Sequence, residues 1–65
     1  MKIYAKNNTL TFDTKVVEFD IRKKDNLAYI DYYDSNEFIY QLECPVQQAD
    51  KIYKQCIVEG YSESF

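Results

Sequence analysis

The sequence predicts an α+β fold: an antiparallel β-meander of four to five strands, followed by one C-terminal amphipathic helix packed on one sheet face. Three observations predict it. Apolar and polar residues alternate along most of the chain as far as Glu43, which is the period of a β-strand. The alternating segments are joined by short polar turns, which favour antiparallel neighbours. After Pro45 the apolar residues recur every three to four positions, so the last element is a helix and the domain has two layers.

Length and composition limit the chain to a single domain, residues 1–65. The residues are 46% hydrophobic and 17% aromatic, which is too apolar for a disordered chain. One glycine and one proline leave no flexible linker, and no apolar run is long enough to cross a membrane. The N-terminal segment MKIYAKNN lacks the apolar core of a signal peptide. We therefore expect a cytoplasmic protein with no membrane partner.

The predicted sheet is read from the alternating segments in chain order. Asn7-Asn8 suits a type I′ hairpin turn, because asparagine tolerates positive φ. The predicted strands span residues 2–6, 9–13, 16–23, 27–33 and 37–43. The face expected to carry the helix is made by Ile3, Leu10, Phe12, Val17, Phe19, Ile21, Ile30, Phe38, Tyr40 and Leu42.

The predicted helix spans residues 46–59. Proline suits the first turn of a helix, so Pro45 marks its start, and Gly60 is placed as its C-terminal cap. Apolar residues form one stripe along it: Val46, Ala49, Ile52, Tyr53, Cys56 and Ile57. The tail, residues 61–65, is expected to be too short for a further element.

Cys44 and Cys56 are expected to be buried, reduced thiols. If residues 46–59 are helical, the two cysteines lie on the order of 18 Å apart along its axis, at about 1.5 Å per residue. A disulfide needs Cα atoms within roughly 7 Å, so the helix excludes an intrachain bridge. With no histidine in the chain, two thiols also fall short of a zinc site.

Charge and motif content argue against several classes of function. The net charge of −3 is opposite in sign to the field of a general polyanion binder. There is no histidine for general base catalysis and no glycine-rich phosphate loop. Paired carboxylates, such as Asp31 with Asp34 or Glu37 with Glu43, are more typical of a solvated face than of a metal or acid–base site. We expect no catalytic residue, no metal and no cofactor, and hence not an enzyme.

The segment 26–43 is the most informative part of the sequence, because it carries four of the seven tyrosines and has apolar residues on both alternating faces. A sheet with one buried face does not need both sets. Tyrosines set among acids and amides are typical of protein interface cores. The predicted contact site on this second face comprises Tyr4, Tyr29, Asp31, Tyr33, Ile39 and Gln41.

Two functions follow from this pattern. The first is a small non-catalytic interaction protein that binds and masks a partner protein, working as a homodimer. Compact, acidic, tyrosine-rich chains of this kind are what one expects of phage or mobile-element inhibitors and accessory regulators. The alternative is a ligand-binding module that stacks a nucleotide or single-stranded nucleic acid on exposed tyrosines at a dimer seam. In that case Arg22, Lys23 and Lys24 would contact phosphate.

Overall fold

A computed structural model describes residues 9–64 of the chain. It contains β1 (Thr9–Phe12), β2 (Lys15–Arg22), β3 (Leu27–Asp34), β4 (Glu37–Cys44), α1 (Val46–Glu59) and β5 (Ser62–Ser64), with a short 3-10 helix at Lys23–Asp25. The strands form one antiparallel sheet in the order β4-β3-β2-β1-β5, and α1 packs on one face of it. The predicted α+β fold is confirmed. The predicted strand over residues 2–6, the Asn7-Asn8 turn, Ile3 and Tyr4 lie outside the described residues.

The hairpin between β3 and β4 turns on two residues. Ser35 and Asn36 both have positive φ, 54° and 68°, as a type I′ turn requires. Asp34 was predicted in this turn but extends β3 instead. Two hydrogen bonds join this hairpin to the turn between β1 and β2. The Thr14 hydroxyl donates to the Asp34 carboxylate at 2.7 Å, and the Ser35 N–H donates to the Thr14 carbonyl at 2.9 Å.

The core lies between α1 and one sheet face, which we call the covered face. Leu10, Val17 and Ile30 are the largest fully buried side chains. The buried set is Leu10, Val17, Phe19, Ile21, Ala28, Ile30, Cys44, Val46, Ala49 and Cys56, with Tyr32, Leu42, Ile52, Tyr53 and Tyr61 packed against it. Phe12 and Tyr40 were expected in this core, yet they are 46% and 49% exposed. Both lie on the covered side but beyond the area that the helix shields.

Cys44 and Cys56 are free and buried, as the sequence predicts. Burial raises the pKa of both thiols, and the nearby charge of Glu59 adds to the effect at Cys56. A raised pKa keeps a thiol protonated and unreactive at neutral pH. These cysteines therefore act as small apolar side chains of the core.

The helix begins and ends where the sequence predicts. Gly60 has a φ of 111°, a conformation that residues with a Cβ rarely adopt. Its N–H donates to the Ile57 carbonyl, and the Tyr61 N–H donates to the Cys56 carbonyl. These two bonds satisfy carbonyls at the end of the helix and reverse the chain.

The tail after Gly60 forms a strand, which corrects the prediction that it is too short for an element. β5 pairs antiparallel with β1, with Thr11 opposite Ser62 and Thr9 opposite Ser64. The Tyr53 hydroxyl donates to the Glu63 carboxylate, which attaches β5 to the helix. The sequence Ser-Glu-Ser has little strand propensity of its own. These residues therefore form a strand because they pair with the edge of β1.

Candidate functional site: the open face of the sheet

The open face is the side of the sheet opposite α1. It carries Thr9, Thr11, Val16, Glu18, Asp20, Arg22, Leu27, Tyr29, Asp31, Tyr33, Phe38, Gln41 and Glu43, as the strand register shows. Every one of these residues is partly or largely exposed. Within residues 9–64, no helix or strand lies over this face, whereas the covered face holds the buried core.

One row of side chains across the open face is mainly apolar. The register places Val16 opposite Tyr33 on one side and Thr11 on the other, and Tyr33 opposite Phe38. The Tyr33 and Phe38 rings meet edge to face, with centroids 5.7 Å apart and planes at 73°. Phe38 is 57% exposed. The row therefore presents two aromatic rings to solvent.

The next row is acidic at its centre. Glu18 and Asp31 lie directly opposite each other, flanked by Thr9 and Gln41. The Gln41 side-chain amide donates to the Asp31 carboxylate at 2.8 Å. Like charges facing each other across two strands destabilise a sheet by roughly 0.2–1 kcal/mol. The repulsion therefore slightly reduces the stability of the fold, and a positive charge placed between the two carboxylates would relieve it.

The electrostatic effect of the acidic row extends to Tyr33. Partial burial, followed by the charges of Glu18 and Asp31, raises the pKa of the Tyr33 hydroxyl. The rows are adjacent along the strands, so this hydroxyl stays a neutral hydrogen-bond donor beside two carboxylates. Aromatic contact and negative potential are combined on one surface.

A third row contains Asp20, Tyr29 and Glu43 in register. The Arg22 guanidinium lies over the Tyr29 ring, 5.0 Å from its centroid, in a cation–π contact. It also forms an ion pair with Asp20 at 3.3 Å. The one arginine on this face is thus engaged by two neighbours on the face itself.

The open face is acidic as a whole. Its charged residues are Glu18, Asp20, Asp31 and Glu43 against Arg22, which gives four negative charges to one positive. The described lysines lie off this face: Lys15 begins β2 on the covered side, Lys23 and Lys24 are in the 3-10 helix, and Lys51 and Lys54 are on α1. Among the described residues, the open face therefore carries four negative charges, one positive charge and no lysine.

Most of the predicted site residues come together here. Tyr29, Asp31, Tyr33 and Gln41 share the open face, in adjacent rows. Tyr4 lies outside the described residues. The charge of Asp31 contributes to the raised pKa of Tyr33, and the Gln41 side chain donates a hydrogen bond to Asp31.

Ile39 does not join them, which corrects its predicted position. A β-bulge shifts the register between Tyr32 and Tyr33, so Tyr32 faces Tyr40 while Tyr33 faces Phe38. The extra residue, Ile39, lies opposite no residue of β3 in the register and lines a cavity of about 180 Å³, whose walls include both Val17 of the covered face and Tyr33. Phe38 was predicted on the covered face and takes the open-face place beside Tyr33 instead. Apolar residues alternate without a break through Phe38, Tyr40 and Leu42. The sequence pattern therefore does not show the bulge that puts Phe38 on the other face.

The three basic residues predicted to contact phosphate do not converge. Arg22 is held over Tyr29, as described above. Lys23 lines a cavity of about 180 Å³ with Asn26, Val46 and Gln47, where the helix begins. Lys24 is exposed in the 3-10 helix.

On the covered side, a groove of about 430 Å³ runs between α1 and Tyr32. The Tyr32 and Tyr40 rings stack beside it, with centroids 4.5 Å apart and planes at 9°. Burial is the main cause that raises the pKa of Tyr32 to about 12, and the proximity of Tyr40 adds to it. The groove walls are mixed: Gln48, Lys51, Ile52, Gln55, Cys56, Glu59 and Tyr61.

Within residues 9–64, no cluster of three or more histidine, cysteine, aspartate or glutamate side chains is arranged to hold a metal ion. The described helix is neither long nor apolar enough to cross a membrane.

Comparison of the chain with protein-family models, with curated proteins and with solved structures finds no significant match. Function is therefore argued from the surface of this chain itself.

Proposed function

We propose that this is a small non-catalytic interaction protein, which binds and masks a cationic surface of a partner protein with the open face of its sheet. The observation that carries the proposal is the pairing of an exposed aromatic row with an acidic row on one sheet face. Val16, Tyr33 and Phe38 supply apolar contact area, and Glu18 faces Asp31 beside them.

The aromatic row supports protein recognition. Tyrosine and phenylalanine are enriched at protein interfaces because they bury a large area with few rotatable bonds. Tyr33 and Phe38 stand side by side in contact, so a partner side chain can pack on both rings at once.

The acidic row supports a cationic partner. A lysine or arginine of the partner placed between Glu18 and Asp31 would relieve their repulsion. The free energy that this repulsion costs the folded chain would then contribute to binding. The same charges oppose a nucleic-acid backbone, and the arginine nearest to the tyrosines is already paired with Asp20. The geometry therefore favours a protein partner over a nucleotide or nucleic-acid ligand.

Masking is the mode of action that this surface allows. A rigid domain that covers a cationic patch denies it to other acidic ligands. Small inhibitors and accessory regulators of phages or mobile elements act in this way, and that origin is proposed on the composition of the chain alone.

The test is quantitative capture from lysate with immobilised wild type and three variants. Phe38→Ser removes an exposed ring of the open face, and Glu18→Lys reverses a charge of the acidic row. Val58→Ser is the matched control, since Val58 is 80% exposed on the helix. We expect a set of basic proteins retained by wild type and Val58→Ser and lost from the other two.

Salt dependence gives a second readout in the same experiment. Capture should weaken as ionic strength rises, because exposed opposite charges are screened over about 10 Å at 0.1 M salt. Capture abolished by Val58→Ser but unchanged by Phe38→Ser and Glu18→Lys would place the interface on the helix and contradict the proposal.

A further inference from the structure

The two edges of the described sheet differ in length and protection. β5, at one edge, has three residues, and short edge strands resist pairing with other chains. β4, at the other edge, has eight residues, Glu37–Cys44. Within residues 9–64, β4 has a strand neighbour on one side only. Natural proteins protect such an edge with charged side chains, proline or bulges; β4 has one bulge, and its charged residues, Glu37 and Glu43, lie towards its two ends.

Three consecutive large apolar side chains of β4 are exposed. Phe38, Ile39 and Tyr40 are 57%, 55% and 49% exposed. The bulge at Ile39 puts Phe38 on the open face and Tyr40 on the covered side, so the exposure of all three is a property of the edge and not of one face. An exposed apolar edge strand is a site where another strand adds to the sheet.

We propose that the outer edge of β4 pairs antiparallel with β4 of a second copy of this chain, about a two-fold axis at Gln41. The proposal does not depend on the partner proposed above, because it rests on backbone pairing along the edge of the sheet and not on the acidic row of the open face. About a two-fold axis, a residue that lies opposite a second residue of the other copy must be matched by the reverse pair. The residue on the axis therefore lies opposite itself, and only a few alignments are available.

Charge disfavours one neighbouring alignment and proline disfavours the other. An axis at Tyr40 would place Glu37 of each copy opposite Glu43 of the other, which sets two pairs of like charges face to face. An axis at Leu42 would bring Pro45 into the ladder, and proline has no N–H to donate.

The axis at Gln41 keeps Glu37 and Glu43 apart and leaves Pro45 only at the end of the ladder, opposite Glu37, the first residue of β4. Tyr40 then lies opposite Leu42 of the other copy, twice, so apolar side chains meet on the covered side. Glu43 lies opposite the uncharged Ile39. The three central positions, residues 40–42, follow the bulge and lie in the regular part of the strand.

This arrangement joins the two five-stranded sheets into one continuous sheet. The axis is perpendicular to the sheet, so the two open faces lie on the same side. Two acidic rows would then be presented together, and a partner with two cationic patches would gain from binding both.

The first measurement is the solution mass of the reduced wild-type protein by light scattering over a range of concentrations. We expect twice the mass of one chain. Tyr40→Lys should reduce the mass to that of one chain, because it places a charge against the apolar Leu42 of the other copy; far-UV circular dichroism checks that it folds. A wild type that stays at the mass of one chain overturns the proposal.

Register is tested by disulfide trapping under mild oxidation. Directly opposed Cα atoms of antiparallel strands are about 4.5–5.5 Å apart, which a disulfide can bridge. Gln41→Cys should therefore give a covalent dimer in high yield, whereas the exposed control Gln47→Cys on α1 should not. Trapping by Tyr40→Cys in preference to Gln41→Cys would overturn the Gln41 axis.

The outcomes separate the two proposals. Loss of self-association in Tyr40→Lys with capture of basic proteins retained supports the edge as a dimer contact distinct from the open face. A monomeric wild type that still captures basic proteins overturns the dimer and leaves the proposed function standing.

Discussion

Tyr32 and Tyr33 are neighbours in sequence and lie on opposite faces of the same strand. Tyr32 packs against the buried core and stacks on Tyr40, while Tyr33 meets Phe38 on the open face beside Glu18 and Asp31. The covered face is apolar and shielded, whereas the open face keeps aromatic rings and like charges exposed. The comparison teaches that the side of the strand sets the surroundings of each ring: the packed core for Tyr32, and an exposed acidic surface for Tyr33.

The largest expected effect is the removal of a core side chain on the covered face. Ile30 is fully buried, so Ile30→Ala should lower the free energy of unfolding by about 2–5 kcal/mol through the cavity that it leaves. A 65-residue domain has a total stability of roughly 3–10 kcal/mol, so this variant can unfold outright. Ile30→Val, at about 0.5–1.5 kcal/mol, provides a graded version.

Leu27→Ala is the matched control on the open face of the same strand, and urea unfolding is the measurement. Leu27 is only partly buried, so its truncation should cost less than the truncation of Ile30. Equal losses from Ile30→Ala and Leu27→Ala would mean that the open face is also core, and the division into two faces would fail.

A smaller effect is expected at alkaline pH. The pKa of Tyr32 is raised from 10.0 to about 12, so the folded state holds this proton after the unfolded state has lost it. The stabilisation is therefore complete below pH 10.0 and is lost as pH rises towards about 12. Tyr33, Tyr61 and the two thiols have pKa values raised in the same direction.

Tyr32→Phe and Tyr33→Phe distinguish the two faces in this pH window. We expect Tyr32→Phe to flatten the decline in unfolding free energy more than Tyr33→Phe does, because Tyr32 packs against the core and Tyr33 lies on the open face. Chemical unfolding at a series of pH values measures both slopes. A larger change from Tyr33→Phe would reverse the assignment of which tyrosine is shielded.

The smallest effect is expected from the acidic row. Glu18→Gln removes the repulsion with Asp31 and should raise the free energy of unfolding by a few tenths of a kcal/mol at low salt. The gain should shrink at high salt because the charges are screened. Glu43→Gln is the control, since Glu43 faces Tyr29 and no acid. Thermal unfolding at two salt concentrations measures both, and a loss of stability in Glu18→Gln would show that the row is not strained.

Much of the fold and part of the site could be predicted from local sequence. The alternation of Val17, Phe19 and Ile21 defines which side of β2 is buried, and Pro45 and Gly60 mark the ends of the helix. The same alternation groups Tyr29, Asp31 and Tyr33 on one face. These features are local because strand and helix periods depend on residues a few positions apart.

Other features depend on contacts between distant segments. The bulge that exchanges Phe38 and Ile39 arises from the fit of β4 against β3, and β5 forms because β1 offers an unpaired edge. The opposition of Glu18 and Asp31 follows from strand register, which neither segment encodes alone.

The sequence by itself therefore determined β1 to β4, the helix and their order, and the buried residues at the centre of the stripes, since these follow from backbone propensity and side-chain period; Ile57, at the end of the predicted helix stripe, is 43% exposed. Only the tertiary structure decided which aromatic ring stands beside Tyr33, which acids face each other and which strand is left at the edge. Those features are set by pairing between strands, where one residue of shift moves a side chain to the other face.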